Sequence, residues 1–280
     1  MTTRDRFRGH VLYEPSGRAL ETARFIVGGV KPIIVCNTTK TCSHMCDYCY
    51  CPQVLKVTKE QFFRPSELKD RILERFEKDI VAIDKRNDFN PKALYMSFVG
   101  DPFTNGRADI QDMTTLIMKK ALLNNLEICT LTKGAYLVDK IHYEPVYPNW
   151  YGISVVSLDE EFRKAHEPGT EKFSRRTMIA GEMFNAGSNT WASMEPWPVP
   201  SIHKQSVLPV LTELRDVAHV SKIIFGKWNY DKRTVGAIND RYYFETALTV
   251  VGFCKDNGIA VKVKDDILNK VTEEDRKELM

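Results

Sequence analysis

The sequence predicts an α/β protein whose parallel sheet curls into a complete or partial barrel. Three observations carry that expectation. Short β-type runs alternate with helix-type segments along nearly the whole chain, the pattern that parallel strands with helical crossovers require. Seven such repeats in 280 residues suit a barrel better than an open doubly wound sheet. The Gly-x-Gly-x-x-Gly turn of a dinucleotide-binding sheet is absent.

The elements follow in order. KPIIVCN (31–37) reads as the first strand, and SELKDRILERFEKDI (66–80) puts Leu68, Ile72, Leu73, Phe76 and Ile80 on one helical face. ALYMSFVG (93–100) is the second strand and DMTTLIMKKALLNN (112–125) the next helix. LEICTLTKG (126–134) and YGISVVSLD (151–159) are strands separated by a helix-like AYLVDKIH. EKFSRRTMIAGEMFNAG (171–187) is a helix with Gly187 as its stop. TWASMEPWPVP (190–200) is a strand broken by three prolines, and SKIIFG (221–226) is another. RYYFETALTVVGFCKDNG (241–258) is a long helix, IAVKVK (259–264) an edge strand, and Thr272 with Asp275 opens a short charged helix. The expected division is an N-terminal arm (1–30), a barrel domain (31–264) and a charged C-terminal helix (265–280).

Bulk composition narrows the class. With 43% hydrophobic and 28% charged residues the chain can bury a core, so disorder is not expected. The formal net charge of +3 tolerates a nucleic-acid partner without arguing for one. No window approaches the ~18–20 apolar residues of a membrane span, and the N-terminus MTTRDRFRGHVLYEPSG lacks the apolar run of a signal peptide. Seven cysteines, four of them within residues 42–51, make a poor disulfide framework. A soluble protein of a reducing cytoplasm is expected.

The chemistry concentrates in TCSHMCDYCYC (41–51). Cys42, Cys46 and Cys49 have three and then two residues between them. Three thiolates so spaced can each hold one iron of a cubane, leaving a fourth iron open to chelate a small molecule. Structural zinc more often uses two separated ligand pairs. An electron-transfer cluster needs a fourth ligand, which Cys51 supplies only by bending back across Tyr50.

The stretch Cys42-Ser-His-Met-Cys46-Asp-Tyr-Cys49 resembles the motif of the radical S-adenosylmethionine (SAM) superfamily, including the aromatic Tyr48 that packs near the SAM adenine in that family. Asn37-Thr-Thr-Lys-Thr-Cys42 through Tyr50 is similar to the signature of the spore photoproduct lyase-like branch. Further matches are Tyr13-Glu-Pro-Ser-Gly, Ser97-Phe-Val-Gly-Asp101-Pro-Phe103, Thr132-Lys133, His166-Glu-Pro-Gly169 and Arg175-Arg176, in family order over roughly residues 13–200. Thr38, Thr39 and Thr41 depart from the Pro, Tyr and Gly of that signature, which marks a divergent member. The resemblance implies a partial (β/α)6 radical SAM barrel, with Cys42, Cys46 and Cys49 holding a [4Fe–4S] cluster and SAM at the open iron.

It also implies roles around the cluster. Asp101 is placed on the SAM ammonium, against its alternative as a turn former before Pro102. Ser97 belongs to the same cofactor-binding stretch. Lys133, at a strand end, is placed on the SAM carboxylate or a substrate phosphate. Ser154 and Ser157 lie on opposite faces of their strand, so at most one faces the interior, and the resemblance favours Ser154. Arg175, of the pair Arg175-Arg176, is the expected carboxylate-binding guanidinium, with one of the pair expected at the surface. Glu195 is either a substrate or ribose contact or a half-buried structural carboxylate. A lyase mechanism needs a hydrogen-atom donor. Cys129 is the candidate, though it lies four residues, roughly 13 Å, deeper than Lys133. Cys254 falls on an apolar helix face, and Cys36 lies inside a strand. His44 is expected to hold the loop by hydrogen bonds, and Trp228 and Tyr230, among basic residues, either to stack a base and bind phosphate or to form a packed, partly exposed loop.

The expected activity is reductive cleavage of SAM to a 5′-deoxyadenosyl radical, fed by an external one-electron reductant of flavodoxin or ferredoxin type. Branch resemblance points to a nucleic-acid base as substrate, thymine-derived and in DNA, extruded to reach the barrel. The reaction is then an isomerase-type rearrangement or modification, or a lyase-type lesion reversal. Modification of a peptide or small molecule, and a non-catalytic iron–sulfur or zinc module, are the alternatives.

Overall fold

A computed structural model describes residues 10–29, 31–85, 90–141 and 149–279. Residues 1–9 and Val30 of the expected N-terminal arm, His142 of the expected short helix and Met280 lie outside these. One eight-stranded sheet runs in sequence order: β1 (Leu12–Tyr13), β2 (Ile33–Cys36), β3 (Ala93–Met96), β4 (Glu127–Thr132), β5 (Trp150–Ser154), β6 (Asn189–Trp197), β7 (Lys222–Lys227) and β8 (Ala260–Val263). Only β1 is antiparallel to its neighbour. β1 and β8 are the free edges, so the barrel is partial, as expected.

Strand alternation divides the core into two layers. Ile33, Val35, Ala93, Tyr95, Cys129, Trp191 and Ile224 fill the concave face. Ile34, Cys36, Leu94, Met96, Ile128, Ile153, Ala192, Met194, Ile223 and Phe225 face the crossover helices. The same parity carries Ser97, Lys133, Ser154 and Glu195 onto the concave side at the C-terminal ends of their strands, where parallel folds keep their sites. Glycine at position 152 makes room for Trp191, because a Cβ there would lie 2.2 Å from the indole.

The N-terminal arm is not an appendage. Gly17–Val27 is a helix whose Ala23, Ile26 and Val27 pack into the concave core. Cations from the far end of the sheet hold it. Lys222 Nζ donates to the carbonyls of Phe25 and Ile26 at the helix C-terminus, at 3.1 and 2.7 Å. Lys264 Nζ donates to Thr22 Oγ1 at 2.9 Å, and Lys262 pairs with Glu21 at 3.9 Å. The helix therefore ties the β7–β8 side to the concave floor and covers apolar surface that an open barrel would leave wet.

Boundaries moved where tertiary contacts outweigh periodicity. The helix expected over 66–80 spans Ile72–Asp84. Residues 67–69 instead pair with the chain before the cysteines, Lys40 N–H donating to Glu67 O and Lys69 N–H to Thr38 O. The helices Glu160–His166 and Leu208–Asp216 were not foreseen. Among the described residues no helix is long and apolar enough to cross a membrane.

Candidate active site

The cysteine loop leaves the C-terminal end of β2 and is clamped from two sides. Cys42 N–H donates to Phe62 O at 3.1 Å, and Ser43 N–H to Ser66 Oγ at 2.9 Å. Across the loop, Asp47 N–H donates to His166 O and Gly169 N–H to His44 O, both at 3.1 Å. Gly169 has to be glycine for this packing, because a Cβ would lie 2.1 Å from Ser43 O. His44 holds the interior as expected. Its Nε2 accepts from Asn105 N–H at 3.1 Å, which leaves the proton on Nδ1, 3.4 Å from Asp101 Oδ2. Burial lowers its pKa, so the ring is neutral.

A cavity of about 440 Å³ opens beside the loop. Cys42, Cys46, Cys49 and Cys51 all line it, together with Tyr48, Ser97, Asp101, Lys133, Ser154 and Glu195. Nearly every residue singled out in the sequence therefore meets in one place, drawn from β2 through β6 and the loops after them.

Two do not. Arg175 lies on the surface, its side chain half exposed and 3.4 Å from Glu182. The guanidinium that turns inward is Arg176, with no exposure. It donates to Glu167 Oε2 at 2.6 Å, Ser154 O at 2.8 Å, Glu171 O at 2.9 Å and Thr170 Oγ1. Its task is to fix the 167–171 turn to β5, since every one of those partners is protein. Cys129 is fully buried but does not line the cavity. The larger Tyr95, Trp191 and Ile224 beside it form the floor instead. The base-stacking expectation for Trp228 also fails. Its ring is 2% exposed and packs edge-on against Tyr48, with centroids 4.8 Å apart. Tyr230 is 70% exposed and does line the cavity.

Asp101 is saturated. Its Oδ1 accepts from Phe103 N–H at 2.9 Å and Thr132 Oγ1 at 2.6 Å, and its Oδ2 from Lys133 N–H at 2.8 Å. Tyr48 OH donates to Glu167, which Arg176 also grips. Lys133 Nζ, in contrast, makes no hydrogen bond among the described residues and lies 5.5 Å from the Tyr48 ring centroid. Burial alone would lower its pKa, but Cys46, Glu167 and Asp101 outweigh that and hold it raised. It is a charged donor facing the cavity without a partner.

The thiols differ. Burial pushes Cys42 up to about 12 and Cys46 well above the usual thiol value. Cys49 is pulled down to about 7, chiefly by a hydrogen bond from the Cys51 thiol and also by the Cys51 N–H. Among the described residues no three His, Cys, Asp or Glu side chains converge as one metal ion would need. A cubane makes a different demand, because each thiolate binds its own iron and the sulfurs have to surround a volume. Three thiols lining one cavity beside an unpartnered cation fit that donor set.

Functional groups that the sequence did not disclose are Arg18 and Thr22 of the N-terminal helix, Tyr95, Phe98 and Trp191, and Lys227 and Lys264. Strand parity with Ser97 and with Glu195 was the available signal for Tyr95 and Trp191 respectively. Nothing local marks the helix residues, which reach the cavity through packing alone.

Comparison with known proteins agrees with this geometry. No curated protein matches the chain. Spore photoproduct lyase complexed with dinucleoside spore photoproduct is similar in fold, with a TM-score of 0.57 at 14% identity over 81% of this chain and 75% of that one. SuiB of Streptococcus suis bound to S-adenosylmethionine gives 0.57 at 10% identity over 88% and 55%. A radical SAM methyltransferase from Sphaerobacter thermophilus gives 0.52 at 13% identity over 84% and 66%. Residues 36–194, more than half of the chain, match the Radical SAM superfamily. The chain belongs to the radical SAM superfamily, whose members use a [4Fe–4S] cluster and SAM.

Proposed function

We propose that this radical SAM enzyme acts on a nucleic-acid base, thymine-derived and in DNA, and that Cys42, Cys46 and Cys49 hold its cluster. The observation that carries the substrate reading is the makeup of the cavity away from the cysteines. Tyr95 and Phe98 stack in parallel with centroids 4.2 Å apart at 6°. Tyr50 and Tyr230 flank the opening, with Arg18, Lys227 and Lys264 in the same wall. Aromatic planes interleaved with cations suit a base and its phosphate. The site lies inside a barrel, so a base in duplex has to be extruded to reach it.

When bound, the cluster and SAM supply a 5′-deoxyadenosyl radical that takes hydrogen from a substrate carbon. The chain's own residues prepare for this. Lys133 offers the SAM carboxylate a cation whose partner is missing from the protein. Glu167, Arg176 and Asp101 keep Tyr48 and the Lys133 backbone in place. The Trp191–Tyr95 floor excludes water from below, which limits side reactions of a radical. Rearrangement or modification suits the site better than lesion reversal with a donor thiol. Cys129 lies beneath the floor, and the Cys51 thiol donates to Phe98 O at 3.6 Å. Cys36, Cys129 and Cys254 are scattered and buried. They form no second cluster set, so an external reductant of flavodoxin or ferredoxin type delivers the electron.

The test is anaerobic reconstitution followed by SAM cleavage with and without thymine-containing oligonucleotides. Stimulation of 5′-deoxyadenosine release by DNA is expected. Release that is indifferent to every nucleic acid tried would remove the base reading.

A further inference from the structure

The wall built by β6, β7, the residue after β8 and the N-terminal helix carries a polar pair that the cluster and its anchors do not use. Glu195 lies on the concave side of β6 over Gly226 of β7. A Cβ at Gly226 would lie 2.8 Å from the Glu195 Cδ and 3.0 Å from Oε1, so the bare glycine leaves the slot in which the side chain rests. Among the described residues the carboxylate's ion-pair partner is Lys264 Nζ at 3.6 Å, longer than a hydrogen bond.

Lys264 is held from both ends. Its N–H donates to Phe225 O at 2.9 Å and its Nζ to Thr22 Oγ1 at 2.9 Å, which leaves ammonium protons for a ligand. The other charged groups of this wall have carboxylates within ion-pair distance, and Ser193 adds a hydroxyl beside Glu195. Lys227 pairs with Asp240 at 3.7 Å, Arg18 with Asp266 at 3.9 Å, and Asn229 Nδ2 donates to Asp266 at 2.8 Å. Glu195 and Lys264 are an acceptor and a donor side by side on the cavity wall.

We propose that Glu195 and Lys264 read the hydrogen-bonding edge of a pyrimidine base, the carboxylate accepting from an N–H and the ammonium donating to the acceptor next to it. The proposal rests on the base-substrate reading above and names the groups that recognise the base. Chemistry favours this class over a peptide. A trans peptide bond points its N–H and C=O in opposite directions, whereas a heterocyclic imide or amidine presents donor and acceptor together on one edge. The Tyr95–Phe98 stack and the Trp191 floor supply the flat apolar surface that such a ring needs.

The experiment titrates labelled single-stranded oligonucleotides into the reconstituted full chain. They carry one thymidine, one N3-methylthymidine, one deoxycytidine or one N4,N4-dimethyldeoxycytidine. Charge-assisted hydrogen bonds of this kind are worth about tenfold or more in affinity. Methylation of the matching base is therefore expected to weaken binding by about that factor in the wild type, with the thymidine or the cytidine arm naming the base. Glu195→Leu should reduce the methylation penalty to within about twofold. Gly226→Ala, which keeps both charges but displaces Glu195, should do the same, so the result does not depend on one variant. Equal binding of methylated and unmethylated forms in both arms overturns the proposal but leaves the base reading standing. No binding of any oligonucleotide, with SAM still cleaved, removes the base reading and this proposal together. A Glu195→Leu loss that falls as heavily on S-adenosylhomocysteine would assign the pair to the cofactor ribose and overturn the substrate role.

Discussion

Glu167 and Arg176 form an ion pair at 2.6 Å in which neither side chain has any exposure. Breaking a buried pair by removing one partner leaves an uncompensated charge, at a cost of about 3–5 kcal/mol. Arg176→Met is therefore expected to lower stability by about that amount in a denaturant titration. Arg176→Lys should recover only part of it, because an ammonium cannot reach Glu167, Ser154 O and Glu171 O with a planar fork. A double variant, Glu167→Leu with Arg176→Leu, should lose less than the two single losses added together. Additive losses would mean the two side chains do not act as a pair.

The same carboxylate predicts a pH dependence. Burial pushes Glu167 up, but Arg176, Lys133 and the hydrogen bonds from Tyr48 and Arg176 together hold it below its ordinary 4.5. A depressed carboxylate contributes stability that is complete above its unfolded value and disappears as pH falls through its folded value. Wild type should therefore lose stability below about pH 4.5 more steeply than Glu167→Gln. Parallel acid limbs for the two proteins would rule this contribution out.

Gly169 is where the cysteine loop is most vulnerable to a single atom. An added methyl would fall 2.1 Å from Ser43 O and 2.9 Å from His44 Cα, both backbone. Gly169→Ala should displace the loop and cut iron incorporation several-fold, while circular dichroism remains that of the folded chain. Full iron loading in this variant would show that the loop tolerates the shift.

Asp101 and Lys133 adjoin in the site but are expected to behave differently. Asp101→Asn puts a donor where a backbone N–H or Thr132 now donates, at about 1–3 kcal/mol of stability. Lys133→Met removes a cation with no partner in the protein and should weaken SAM binding about tenfold or more while changing the denaturation midpoint little. Equilibrium dialysis with SAM on both variants separates the roles. A larger SAM defect in Asp101→Asn would reverse them.

Much of this arrangement was legible before any coordinates. Strand parity alone carries Lys133, Ser154 and Glu195 to one face, and the Cys-x3-Cys-x2-Cys spacing marks the loop at the end of β2. Three things were not legible, each for a physical reason. Arg175 and Arg176 are chemically alike, and only the helix phase buries the second. Cys129 has the right parity but lies too deep, and the bulk of Tyr95 and Trp191 covers it. The helix Gly17–Val27 has four buried positions in eleven residues, but where it docks is set by contacts distant in sequence. Lys222 and Lys264, about two hundred residues away, hold it in place.

The cluster assignment itself is tested most directly by electron paramagnetic resonance of the reduced, reconstituted protein with and without SAM, on wild type and four single cysteine variants. The account predicts a cluster signal in wild type and Cys51→Ala that changes when SAM binds the open iron, and loss of that signal in Cys42→Ala, Cys46→Ala and Cys49→Ala. A Cys46→Ala protein that keeps its cluster, or a wild-type signal that SAM leaves unaltered, would contradict it.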